Sequence, residues 1–148
     1  MTTTLHESEL STTYPAITAA GAKAVLAAAE AKATETGVPV VVAVVDGAGV
    51  LKAYLAMDGV PPVAGTWAID KAITAASFRR PTQILGESVR GDLTVFASVI
   101  ARPHTTLAPA GLPLVVDGAV VGAVGVGGGT PDQDRVVAKA GVDVLGGD

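Results

Sequence analysis

The sequence predicts an α+β fold, an antiparallel sheet flanked by helices in a single domain. Three observations carry that expectation: two apolar hairpin patterns, each turning at Asp-Gly; alanine-rich helical stretches before, between and after them; and a length of 148 residues. An Asp-Gly turn returns the chain antiparallel, because a parallel connection needs about a dozen residues or more. A chain of this size buries roughly 68–70% of its unfolded surface and needs no staples.

Residues 1–13, MTTTLHESELSTT, are polar and aperiodic and read as a flexible N-terminal arm, leaving 14–148 as the domain. From Tyr14 to Thr36 an alanine-dominated run places Ile17, Ala20, Ala24, Val25 and Ala28 at helical spacing, with Pro15 in the first turn and Gly37 just past the end. Val38 to Val45 is continuously apolar and β-branched; Asp46-Gly47-Ala48-Gly49 interrupts it, and Val50 to Met57 resumes. This is a strand, a turn and a return strand. Val63 to Phe78 predicts a second helix on Trp67, Ile69, Ala72, Ile73 and Ala76, ended by Arg79-Arg80-Pro81. Residues 82–109 carry little pattern; Leu93 to Ala101 suits a short helix or a strand, and Arg102-Pro103-His104 a loop. Leu112 to Val116 and Ala119 to Val126, joined at Asp117-Gly118, predict the second hairpin. Thr130-Pro131-Asp132-Gln133 is a capping box with Pro at the first helical position, opening a last helix to about Leu145.

Composition narrows the function. A net charge of −4 offers no footprint for nucleic acid or an anionic membrane surface. Without cysteine there is no disulfide, thiolate metal site or cysteine nucleophile. Mean hydropathy is +0.51, yet no apolar run approaches the roughly 20 residues of a membrane span. The opening MTTTLHESEL has neither a basic nor an apolar leader region, so the expectation is a cytoplasmic protein whose partners are small molecules or copies of itself.

Several residues are candidates for chemistry. Lys71 sits in the apolar helix and must either reach water beside Asp70 or be held by a partner. Buried near Asp46 or Asp58, it would orient an anion or act as a base. Thr74, one turn after Asp70, either joins that site or back-bonds its own helix. Gly125 to Gly129 ahead of the capped helix resembles an anion-binding terminus or a tight structural turn, and Asp132 and Asp134 already place negative charge there. Arg79 and Arg80 balance a helix dipole or fork a carboxylate. His104 is an exposed loop histidine, a proton shuttle or a ligand. Two histidines 98 positions apart make no metal signature, so no metal site is expected apart from His104 as a possible haem ligand.

The motifs Val42-Ala43-Val44-Val45-Asp46-Gly47-Ala48-Gly49, Met57-Asp58-Gly59, Lys71-Ala72-x-Thr74-Ala75, Gly111-Leu112-Pro113 to Asp117-Gly118-x-Val120-Val121-Gly122-x-Val124-Gly125-Val126, and Asp132-Gln133-Asp134 resemble the GlcG/HbpS (DUF336) family, which includes the C-terminal domain of PduO-type proteins. The resemblance spans about Tyr14 to Leu145 and implies a profilin-like sheet, homo-oligomers and a haem-binding or small-ligand role. Two positions depart from its pattern: Ala56 stands where Arg is usual, and Gly127 where Ser is usual. An axial haem ligand would come from His104, Met57, Tyr14 or Tyr54, since Met1 and His6 lie in the arm.

The functional expectation is one cavity between the Lys71 helix and the sheet end near Asp46. Lys71, Asp46 and His104 would be its chemical groups, and Asp58, Thr74, Arg79, Gly127 and Gly128 would hold the ligand. That ligand is haem, a related tetrapyrrole or a small organic anion. The alternative is a cofactor-independent isomerase, lyase or hydrolase of a small carboxylate, with Lys71 or Asp46 as acid or base.

Overall fold

The structure is a computed structural model that describes residues 1–146. In chain order the elements are α1 (Glu7–Leu10), α2 (Ala19–Thr36), β1 (Val41–Asp46), β2 (Leu51–Ala56), α3 (Val63–Phe78), α4 (Thr82–Val89), α5 (Leu93–Ile100), β3 (Gly111–Val116), β4 (Ala119–Gly127) and α6 (Pro131–Asp143). The four strands form one sheet in the order β2-β1-β4-β3. Every neighbouring pair is antiparallel. The expected α+β architecture, with its two hairpins and flanking helices, is therefore present.

Turn chemistry explains both hairpins. Asp46 Oδ1 accepts from the backbone N–H of Ala48 at 2.9 Å and of Val50 at 3.0 Å, closing the first. Asp117 (φ 50°) and Gly118 (φ 77°) are both left-handed, the conformation a two-residue turn needs to match strand twist.

The sheet has two covered faces. Val42 and Val44 of β1 and Val124 and Val126 of β4 meet α2 and α6 on one. Val41, Ala43, Val45 and Ala123 meet the alanines of α3 on the other. Here glycine decides the spacing. A Cβ at Gly125 would lie 2.0 Å from the Ala68 carbonyl oxygen, and one at Gly111, its cross-strand partner, 2.3 Å from that of Lys71. Thus α3 rests almost backbone to backbone on β4 and β3, which a core of valine and alanine permits.

Several expectations are changed or settled. Helix α2 begins at Ala19 rather than Tyr14, because Thr18 caps it by accepting from Gly21 N–H at 3.0 Å. Pro15 therefore lies outside the helix, and Ile17 N–H donates to the Val121 carbonyl. The buried face of α2 is Ala22, Val25, Ala29 and Ala33, with Ala20 and Ala24 exposed. Trp67 is 52% exposed, because α3 turns its alanine side to the sheet. The weakly patterned 82–109 segment folds into α4 and α5, which bury Leu85, Val89 and Val99 together. Within residues 1–13, α1 is a single turn with no buried residue.

Candidate functional site

Two large hollows open among the described residues. One, of about 610 Å³, lies at the hairpin-turn end of the sheet and is lined by Tyr14, Asp46, Gly47, Ala76, Arg79, Gly118 and Val120, among others. The other, of about 770 Å³, lies between α4, α5 and the start of α6 and holds Arg90, Leu93, Phe96, Leu107 and Arg135. Both fall within the roughly 300–1,000 Å³ typical of small-molecule sites.

The structure divides the expected constellation among separate places. Asp46 and Arg79 both line the turn-end hollow. Lys71 lines neither hollow. It is buried, and its ammonium donates to the Val126 carbonyl at 2.6 Å and to Asp134 Oδ2 at 3.1 Å. Its partner is thus Asp134, rather than Asp46, Asp58 or the wet face beside Asp70. Asp134 also accepts from Gly129 N–H at 2.9 Å, and Gln133 Oε1 accepts from Thr130 N–H, so these donors are already used by the protein itself. Gly127 and Gly128 serve close packing: a Cβ at Gly127 would stand 3.1 Å from the Ala64 carbonyl oxygen, and one at Gly128 2.9 Å from that of Pro39.

Thr74 is buried and pins the 104–106 loop, donating to the His104 carbonyl at 3.3 Å and accepting from Thr106 N–H at 3.0 Å. His104 has a left-handed backbone (φ 53°), an exposed imidazole and Asp70 Oδ1 at 3.1 Å from Nδ1. Asp58 is exposed in the turn after β2.

Arg79 stands out in the turn-end hollow. It is the left-handed residue (φ 53°) closing α3, a position where glycine is usual because a Cβ makes it strained. Among the described residues no carboxylate pairs with its guanidinium. Asp46 is committed through Oδ1 to its own turn. Tyr14, at the lip and 75% exposed, brings a phenol beside the apolar surface of Pro15, Ala16, Ala76 and Val120. In the sequence Tyr14 stands out as one of four possible iron ligands, and nothing local links it to Arg79, 65 positions on in the chain.

A haem site needs an apolar surround, a counter-charge for the ring carboxylates and an axial donor of the His, Met, Cys or Tyr kind. The turn-end hollow holds all three types, in its apolar lining, Arg79 and Tyr14. The α4–α5–α6 cleft has cations and apolar surface but none of those donors in its lining. His104, Met57 and Tyr54 line neither.

Fold and hollows together define a small α+β domain with cavities of small-molecule size. The chain belongs to the HbpS-like family, described as haem-degrading protein HbpS-like, whose pattern matches residues 17–143. Protein GlcG of Escherichia coli K12 is 41% identical over 105 residues, covering 71% of this chain and 76% of that one. A 15.0 kDa protein of Citrobacter freundii from the dhaT-dhaS intergenic region is 36% identical over 128 residues, 86% of this chain and 90% of its own. Among solved structures, ORFY of Klebsiella pneumoniae superposes with a TM-score of 0.87 at 29% identity over 99% of both chains. PduOC, solved as a haem complex, gives 0.80 at 26% identity over 87% of this chain and 94% of its own. The GlcG/HbpS resemblance read from the motifs is thereby established.

Proposed function

We propose that the protein binds haem or a related tetrapyrrole in the turn-end hollow. One observation carries the reading: of the two large hollows, this one alone has in its lining a side chain of an axial-ligand type, Tyr14, and it also contains Arg79. Tyr14 would hold the iron through its phenol oxygen, and Arg79 would pair with a ring carboxylate. Pro15, Ala16, Ala76 and Val120 would cover part of the macrocycle. Once bound, haem supplies iron-centred redox and oxygen chemistry. The protein's own share is to seat the ring, neutralise its carboxylate and exclude water from one face. The family and the haem-complexed PduOC support the ligand class.

Assembly into a homo-oligomer in the cytoplasm belongs to the same reading. Supporting assembly, Val95 and Ile100 leave apolar surface of α5 42% and 48% exposed, surface that a second copy would cover. Light scattering on the purified protein tests it; a monomer at all concentrations removes that part.

Haemin titration tests the ligand. A saturable Soret shift at one equivalent per chain, weakened about tenfold in Arg79→Gln through loss of one charge-assisted hydrogen bond, is the expected result. An unshifted spectrum contradicts the proposal.

A further inference from the structure

The cleft between α4, α5 and the start of α6 is separate in lining from the turn-end hollow and has no part in the reading above. We propose that it is a second binding site, for an organic carboxylate with a flat apolar body.

The first argument is charge. Arg90 closes α4, and among the described residues no carboxylate pairs with it. Arg135 faces the same cleft. Glu87 is also in the lining and is engaged by the Gln83 amide at 3.1 Å, and Arg135 is bridged by Asp132, so Arg90 is the cation that the cleft leaves to a guest. A guanidinium is the group suited to a forked grip on a carboxylate.

The second argument is preorganisation. One Arg135 nitrogen donates to the Gln83 side-chain oxygen and another to Asp132, so its plane is held from α4 and from its own helix. The helix start that carries it is itself fixed. Asp134, the preceding residue, is buried on Lys71 and Gly129 N–H, and Thr130 and Gln133 close a reciprocal capping box. A cation held this way loses little freedom when a guest arrives.

The third argument is the apolar lining. Leu93, Phe96, Leu107 and Pro109 give the cleft an apolar side, and Leu93 is 80% exposed although it begins an apolar helix. Cations together with aliphatic and aromatic surface in one cleft match an anion joined to an apolar plate.

Fluorescence titration with 2-naphthoate, alongside the neutral 2-naphthalenemethanol, tests the proposal on the full chain. Saturable 2-naphthoate binding is expected, at least tenfold tighter than the alcohol. It should weaken about tenfold in Arg90→Gln and in Leu93→Asp, both surface changes that leave the core intact. Saturating haemin should not displace it. Equal binding of acid and alcohol, or 2-naphthoate affinity untouched by both variants, would overturn the site. Displacement by haemin together with sensitivity to Arg79→Gln would assign the naphthoate to the turn-end hollow and likewise overturn it. Failure of haemin binding with naphthoate binding intact would refute the haem reading alone.

Discussion

The ammonium of Lys71 lies 3.1 Å from Asp134 Oδ2 and joins two helices, α3 and α6, that cover opposite faces of the sheet. Both side chains are 4% exposed, so neither charge has water to fall back on. A lysine expected to face a ligand instead ties the fold together. Removing one partner of such a pair strands the other charge, which typically costs about 3–5 kcal/mol. Lys71→Met is therefore expected to lose that much in urea unfolding. Lys71→Met with Asp134→Asn should recover most of the loss, because asparagine is neutral and keeps an acceptor for Gly129 N–H. A double variant as unstable as the single one would contradict this account of the pair.

Glycine spacing under α3 makes a second prediction. Gly125→Ala would drive a methyl to 2.0 Å from the Ala68 carbonyl oxygen, whereas a Cβ at Gly91 meets nothing within 4 Å. Thermal unfolding should register a loss of about 3 kcal/mol or more for the first and less than about 0.5 kcal/mol for the second. Similar melting points for the two would disprove the close approach of α3 to β4.

Thr74 predicts a polar rather than a size effect. Valine fills the same volume but leaves Thr106 N–H without the oxygen 3.0 Å away. Thr74→Val should cost about 1–3 kcal/mol and Thr74→Ser clearly less, as judged by chemical denaturation. Equal losses would mean that methyl packing, and not the hydroxyl, secures the 104–106 loop.

Arg79 should separate stability from binding. Glycine at its left-handed position removes backbone strain of about 1–2 kcal/mol. Arg79→Gly is expected to raise the melting temperature while weakening haemin binding. A variant that is both more stable and binds haemin as tightly as wild type would strip Arg79 of any ligand role.

The parts of the fold that local chemistry dictates were legible in the sequence. Asp117-Gly118 can make its turn, Gly37 can end α2 in the left-handed region at φ 73°, and Thr130 with Gln133 caps α6 without reference to the rest of the molecule. The buried face of α2 was not legible, because alanine occupies nearly every turn and leaves no stripe to read. Helix α5, LTVFASVI, is mostly apolar, with Thr94 and Ser98 as its polar positions, and β-branched in part, a run too short to tell from a strand by pattern alone. The partner of Lys71 lies 63 positions away, a separation set by the fold alone. Of the expected site, Asp46 and Arg79 line one hollow, while Lys71 is tied up by Asp134, Gly127 and Gly128 serve packing, and His104 sits on the surface beside Asp70. The cleft residues Arg90 and Arg135 left no mark in the sequence, since they belong to a weakly patterned segment and to a helix read only for its cap.

The haem reading stands or falls on which side chain meets the iron. Resonance Raman spectra of the haemin complex, recorded for wild type, Tyr14→Phe and His104→Ala, address it directly. Phenolate–iron bands present in wild type and His104→Ala and absent from Tyr14→Phe are the predicted result. Bands that survive in Tyr14→Phe, or a spectrum altered only by His104→Ala, would contradict it.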